Sequence, residues 1–412
     1  MTPENEIVIV GAGHAGTAAA IALREEGFGG KISLISSEST LPYHRPPLSK
    51  AYLRQPDTAS AVIRPEAFYT SKSINLMLGR RAIGIDTRKQ YVLLESGDAI
   101  HYDHLILATG SRERNPPFPL PPDGRVMRLR DLEDANGLRD AILGARKMAI
   151  VGAGFIGLEV AATAAGLGLD VTVIEPMDRL LARTASQAVS DVCMSAHLSY
   201  GTKFRTKCAV TSIEKAEDGH LVLRLSNGET LYADLVLLSI GVIPDDHLAR
   251  EAGLTVDEKG GVVVNTRLTS SDPYISVIGD AAVFPYAGAN TRVTSIQNAT
   301  DQGKLVARAL TGKETHYHPT LTFWSEQKSL KLQMAVRSFG ANRFVTRSAG
   351  DNSLSVFGFE NGVLVQVETI NNAKNFMLAR ALFDKAIGPT FTSLETVNFE
   401  LAKIEATSNV NP

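Results

Sequence analysis

A single lysine, Lys50, follows two adjacent prolines in the stretch LPYHRPPLSKAYL. Pro46 and Pro47 restrict the start of a helix at low entropic cost, so the spacing predicts a cation pre-positioned on its first turns. A lysine alone is usually a solvated surface group. Its place after a double proline argues for a task. Ahead of it Gly11, Gly13 and Gly16 form G-x-G-x-x-G, and Gly152, Gly154 and Gly157 repeat the pattern far downstream. In such a motif the first glycine permits a tight turn and the second lets backbone approach a pyrophosphate. The third lets the helix pack close to the strand, and helix N–H groups face the anion.

The motif carries weight only between a strand and a helix. Both copies meet that condition. Ile7–Val10 is an apolar, β-branched run, as a strand buried on both faces should be, and Ala18–Leu23 continue a helix of small residues. In the second unit the strand Val171–Ile174 ends in Glu175, where a carboxylate accepts hydrogen bonds from ribose hydroxyls and repels a 2′-phosphate, favouring NADH over NADPH. The first unit is less clean, with Ser37 at the expected acid and Glu38 beside it. Either Glu38 reaches the ribose, or Ser37 and water do. Ala108, Thr109 and Gly110 end another buried strand where the chain can turn away from a dinucleotide. Gly279 and Asp280 end a third, where a carboxylate can accept from ribityl hydroxyls or cap a helix. Two fingerprints imply two dinucleotides, most simply a flavin and a nicotinamide.

The chain of 412 residues has room for two or three domains, and 44% hydrophobic residues with 34 glycines fit an α/β protein rich in strand–helix turns. A net charge of −2 argues against nucleic acid. No apolar run predicts a membrane span, and MTPENEIVIV runs into a strand without a signal peptide's features. Cys193 and Cys208 have no metal-ligand or C-x-x-C spacing, so the expectations are no metal, no structural disulfide and a cytoplasmic location.

With these residues in hand, the chain resembles the FAD-dependent ferredoxin reductases of bacterial oxygenase systems. The resemblance runs nearly end to end, through RPPLSKAYL, GAGFIGLEVAATA, IGVIP, SDPYISVIGDAA, QNATDQ and FWSEQKSLKLQ. It implies a glutathione-reductase-like α/β fold of two Rossmann-like dinucleotide-binding domains with a C-terminal α+β interface domain. The expected boundaries are 1–111 and 245–320 for FAD, 112–244 for NAD, and 321–412 for the interface domain. It also implies that Lys50 lies by the flavin N5 and pairs with Glu159, which would hold the nicotinamide stack in register. His14, Ala15, Arg45, Ala82, Arg130, Ser295 and Ile296 join the expected FAD contacts, and Phe155, Ile156, Arg183 and Gly241 those near the nicotinamide dinucleotide. Trp324, the only tryptophan, falls in the segment expected near the isoalloxazine, with a core position as the alternative.

Flavoenzymes that reduce disulfides carry a cysteine pair where this chain has LPYHRPPLSKAYL. Electrons must then leave the flavin directly. The expected function is an NADH-dependent reductase, monomeric or homodimeric, passing single electrons to a small [2Fe–2S] ferredoxin that serves a cytochrome P450 or Rieske oxygenase. A partner-free NADH oxidase or quinone reductase is one alternative, and a redox-sensing flavoprotein is another. Five positions depart from the resemblance. Ser37 replaces a frequent aspartate, Thr294 a glutamate, Glu326 and Ser329 aspartates, and Lys328 a tyrosine. Lys304, Arg308, Lys313, Lys328, Lys331, Arg337, Arg343 and Arg347 outnumber Glu314 and Glu326 in the same stretch, which suggests a positive docking face.

Overall fold

Residues 5–55, 61–313, 315, 317, 319–348, 350 and 352–385 are described by the structure, a computed structural model. They divide into two units, the first falling within Met1–His44, Ala61–Arg112 and Val242–Pro319, and the second within Arg45–Ser60, Glu113–Gly241 and Thr320–Pro412.

The first unit is built on a five-stranded parallel sheet in the order Ile275–Val277, His104–Leu107, Glu6–Val10, Lys31–Ile35, Ile74–Met77. Ile7, Val8 and Ile9 are fully buried, as a strand covered on both faces requires. The chain winds from Glu6–Val10 to one side of the sheet and later returns to the other. The switch point, where such sheets bind ligands beyond their carboxyl ends, therefore lies beside the first fingerprint. The helix His14–Glu25 packs against Ile296–Leu310 at very close range. A Cβ added to Gly303 would stand 2.6 Å from the Ala15 carbonyl oxygen, so only glycine fits.

The second unit repeats the plan with Lys203–Arg205, Asp170–Ile174, Lys147–Val151, Leu235–Leu238 and Val126–Met127, again all parallel. It also holds a five-stranded antiparallel sheet ordered Leu321–Gln327, Leu330–Val336, Val363–Ile370, Leu354–Glu360, Arg343–Ser348. Leu330, Leu332, Met334, Leu354, Val356 and Ile370 of that sheet share one apolar core with Ile150, Leu158 and Val173. Asn361 and Gly362, both at positive φ, turn the last hairpin, as an Asn-Gly pair predicts. The helix Ala373–Asp384 follows and buries Phe376, Leu382 and Phe383. The rest of the expected interface domain, from 386 onward, lies outside the described residues, as does Glu314.

The prolines act differently from expectation. Pro46–Ser49 is a 3₁₀ turn and Ala51–Arg54 a short helix, with Lys50 between them in a non-helical conformation. Neither proline has an N–H to donate, and the bonds that form are three-residue ones, from the Leu48 N–H to the Arg45 oxygen and from the Lys50 N–H to the Pro47 oxygen. Lys50 therefore sits at a corner and not within a continuous helix.

Candidate dinucleotide sites and the Lys50–Glu159 centre

In the first unit Gly11 has φ +107°, and a Cβ there would come within 2.3 Å of the Ala108 carbonyl oxygen. A Cβ on Gly16 would overlap the Gly11 carbonyl oxygen, at 1.9 Å. Gly13 is the opposite case, because its Cβ direction meets no atom within 4 Å. It is the N-cap of His14–Glu25 and supplies no capping side chain, so the helix presents its first N–H groups to an open side. That combination fits a pyrophosphate. Ala15 is buried in the first turn, and His14 Nε2 lies 3.3 Å from His44 Nδ1.

Around this turn Gly279 sits so close to Ala15 that an added Cβ would lie 3.1 Å from the Ala15 methyl, and its N–H donates to Gln302 Oε1 at 2.7 Å. Asp280 Oδ2 accepts from Ser111 Oγ at 2.6 Å. Thr109 Oγ1 donates to the Asp245 carbonyl at 2.6 Å, and Gly110 turns with φ +76° after the buried Ala108. Ser295 caps Ile296–Leu310 by accepting from the Asn298 N–H, with Ile296 as the first helical residue. Ala82 opens a strand of the small antiparallel sheet. Ser37 is exposed, whereas Glu38 is half-buried and accepts from Tyr43 Oη at 2.6 Å. Register adds a residue that the sequence reading passed over. Gly11 N–H bonds the Ile35 oxygen just as Gly152 N–H bonds the Ile174 oxygen, so Ser36 holds the position equivalent to Glu175.

In the second unit Gly152 and Gly157 repeat the geometry of Gly11 and Gly16, and Gly154 again faces open space as an N-cap without a side-chain cap. Glu175 leans over this turn. Its Oε2 accepts from the Ala153 N–H at 2.8 Å and its Oε1 from the Met177 N–H at 3.0 Å. A carboxylate has about four acceptor positions, so it keeps capacity for ribose hydroxyls. Phe155 and the exposed Ile156 begin the helix Phe155–Gly166, Arg183 is exposed, and Gly241 turns at φ +95°.

The same helix carries Glu159, which is buried and meets Lys50. Lys50 Nζ donates to Glu159 Oε2 at 2.6 Å. Ser49 Oγ donates to that oxygen as well, and Ser325 Oγ donates to Oε1 at 2.7 Å. Three donors satisfy a carboxylate that burial would otherwise destabilise. Lys50 Nζ also donates to the Pro46 carbonyl at 3.1 Å, so the 3₁₀ corner holds the ammonium as well as the backbone. Arg45, at the start of the corner, donates to the Arg130 carbonyl. A cleft of about 420 Å³ is lined by Pro46, Lys50, Arg54, Trp324, Glu326 and Lys328, among others. Trp324 is 41% exposed on it, which rules out the core alternative.

Four polar residues of this centre, Ser49, Ser325, Gln327 and His197, were not foreseen. Along Leu321–Gln327, Trp324 and Glu326 face outward while Ser325 and Gln327 are buried. The signal was strict alternation in WSEQ with the polar Ser and Gln on the inner phase. His197 completes the group from the helix Gln187–Ser199.

Both cysteines are free and buried. Burial, with the neighbouring Glu368 carboxylate, pushes the Cys193 thiol up to about 12, so it forms no thiolate near neutrality. Among the described residues there is no His, Cys, Asp or Glu group arranged for a metal, and no helix is long and apolar enough to cross a membrane.

Two parallel sheets that each open a helix at a glycine fingerprint define a two-dinucleotide oxidoreductase. The chain belongs to the pyridine nucleotide-disulphide oxidoreductase family, matched over residues 5–303, with a reductase C-terminal domain matched over 322–404. Within that family it is an oxidoreductase of the ferredoxin–NAD(+) reductase kind. It is 41% identical to rhodocoxin reductase of Rhodococcus erythropolis, over 96% of this chain and 93% of that one. It is 36% identical to the ferredoxin–NAD(+) reductase component of the 3-phenylpropionate/cinnamic acid dioxygenase of Photorhabdus laumondii, over 91% of this chain and 95% of that one. The solved covalent complex of putidaredoxin reductase with putidaredoxin superposes with a TM-score of 0.93 at 33% identity, covering 99% of both chains.

Proposed function

We propose that this protein is an FAD-containing reductase that takes hydride from NADH and passes electrons singly to a small [2Fe–2S] ferredoxin serving a cytochrome P450 or a Rieske oxygenase. One observation carries the reading. Where a disulfide reductase needs two cysteines, this chain has Lys50, ion-paired at 2.6 Å to the buried Glu159. The two cysteines it does have, Cys193 and Cys208, are both buried. An electron pair therefore has no thiol relay through which to leave. The choice of acceptor follows the relatives, whose names are those of reductases for rhodocoxin and for a dioxygenase ferredoxin, and a solved relative is bound to putidaredoxin.

FAD, when bound, accepts a hydride as an electron pair and can release the electrons one at a time. The rest is work for side chains. The open N-terminus after Gly13 would hold one pyrophosphate, and that after Gly154 the other. Glu175 would take the ribose hydroxyls of NADH and repel the phosphate of NADPH. Glu159, held by Ser49, Lys50 and Ser325, fixes the Lys50 ammonium at the cleft, where a cation offsets negative charge gained on reduction. Reductive titration tests the reading. Flavin alone takes up one electron pair per bound FAD, whereas a hidden redox disulfide would take up a second pair and refute it.

A further inference from the structure

The inward side of Leu321–Gln327 leads away from the Lys50–Glu159 pair along a chain of buried polar groups. Ser325 Oγ lies 2.7 Å from Glu159 Oε1, Gln327 Nε2 lies 3.2 Å from Ser325 Oγ, and His197 Nε2 lies 3.0 Å from Gln327 Oε1. Ser325 and His197 have no exposed surface and Gln327 is 1% exposed. Beyond His197 the chain stops, because its Nδ1 is buried without a hydrogen-bond partner. The rings of Tyr200 and Phe204 pack around the imidazole, with centroids 5.7 and 6.0 Å away.

Chemistry fixes the direction of each bond. A carboxylate only accepts, so the single hydroxyl hydrogen of Ser325 goes to Glu159. Ser325 must then accept from the Gln327 NH₂, which turns the amide oxygen toward His197. That oxygen needs a donor, so His197 carries its hydrogen on Nε2. Burial lowers the His197 pKa, although the bond to Gln327 opposes the shift, and this keeps the ring neutral. The reversed chain would put the hydrogen on Nδ1, where a buried N–H would have no acceptor among the described residues. It would also turn the Ser325 hydroxyl away from Glu159. An amide does not readily pass protons along, so the chain is suited to orienting groups and not to conducting protons.

We propose that His197 and Gln327 are positioning residues: the Nε2–H tautomer of His197 sets the Gln327 amide, which aims the Ser325 hydroxyl at Glu159 and so holds its carboxylate opposite Lys50. The proposal rests on the reading of Lys50–Glu159 as the working centre.

The direct test is ¹⁵N NMR of the FAD-loaded protein labelled at histidine, with His197 assigned by loss of its signals in His197→Phe or their displacement in Gln327→Met. The expected result is a neutral ring protonated at Nε2 from roughly pH 6 to 8. A ring protonated at Nδ1, or a cation, would overturn the proposal. Ser325→Ala cuts the link to Glu159, but a buried Nδ1–H would still lack an acceptor among the described residues, so the Nε2–H tautomer should persist in that variant. A switch to Nδ1–H there would mean that Glu159 sets the ring through Ser325, and would also overturn the proposal. Kinetically, Ser325→Ala should slow flavin reduction by NADH about tenfold with the NADH dissociation constant unchanged, since a hydrogen bond to a charged group is lost. Ser325→Thr, which keeps the hydroxyl, should recover most of the rate. A folded Ser325→Thr as slow as Ser325→Ala would count against the proposal. Wild-type reduction rates in Lys50→Met would instead refute the centre itself, whatever the tautomer of His197.

Discussion

Lys50 and Glu159 stand 109 positions apart in sequence and 2.6 Å apart in space. Lys50→Met should slow flavin reduction by NADH at least tenfold while the protein stays folded, because Ser49 and Ser325 still donate to Glu159. Anaerobic stopped-flow reduction with a circular dichroism control checks both halves. At Glu175 the expectation concerns specificity. A 2′-phosphate beside the carboxylate should cost on the order of 1–3 kcal/mol, roughly five- to 150-fold in kcat/KM favouring NADH. Glu175→Ala should shrink that ratio, and equal kcat/KM for NADH and NADPH in the wild type would remove Glu175 from the ribose. The glycines and Glu175 were legible because each acts within its own strand–turn–helix unit. The Lys50 partner was reachable only by resemblance, since no local pattern links such distant residues. Ser325 and Gln327 escaped notice because polar residues on one phase of a strand ordinarily mark its solvent face, whereas here that phase turns inward.

The strand and helix units were readable wherever periodicity was local. Ile7–Val10, Val171–Ile174 and the Asn361–Gly362 hairpin lie where apolar runs and turn residues put them. The segment after Pro46 did not, because the chain closes a 3₁₀ turn over Pro46–Ser49 and leaves the helical path at Lys50 before Ala51–Arg54 resumes it. Burial of a titratable residue in an element was equally hidden. His104 opens the parallel strand His104–Leu107, is 5% exposed, and lies 2.9 Å from Ser276 Oγ on the neighbouring strand. Burial lowers its pKa to about 4 from 6.5. Between those values the unfolded chain binds the proton and the folded strand does not. Stability is therefore retained above pH 6.5 and lost as pH falls toward 4, by up to about 3 kcal/mol from this group. Urea midpoints at both ends of that window check it, and His104→Gln should flatten the difference.

At the scale of the molecule, the basic run read from the sequence does not lie in one unit. Lys304, Arg308 and Lys313 belong to the first, and Lys313 is paired with Glu26, whereas Lys328, Lys331, Arg337, Arg343 and Arg347 belong to the second. The run divides because the chain passes from one unit to the other at residue 320. Lys328 remains the informative position. It turns its hairpin at φ +58°, lines the cleft with Lys50 and Trp324, and lies 4.3 Å from the centroid of the Tyr200 ring, which restricts its ammonium. For an acidic ferredoxin, Lys328→Glu should raise the apparent KM several-fold and leave NADH–ferricyanide turnover unchanged, and added salt should act in the same direction. The central claim is that electrons pass singly from the flavin to an iron–sulfur partner without a thiol relay. It is tested most directly by NADH-driven cytochrome c reduction with and without an added [2Fe–2S] ferredoxin. The expected result is a rate that rises with ferredoxin and saturates, and that survives alkylation of accessible thiols. A rate indifferent to every ferredoxin tried, with NADH consumed at the same pace by oxygen or a quinone, would contradict it.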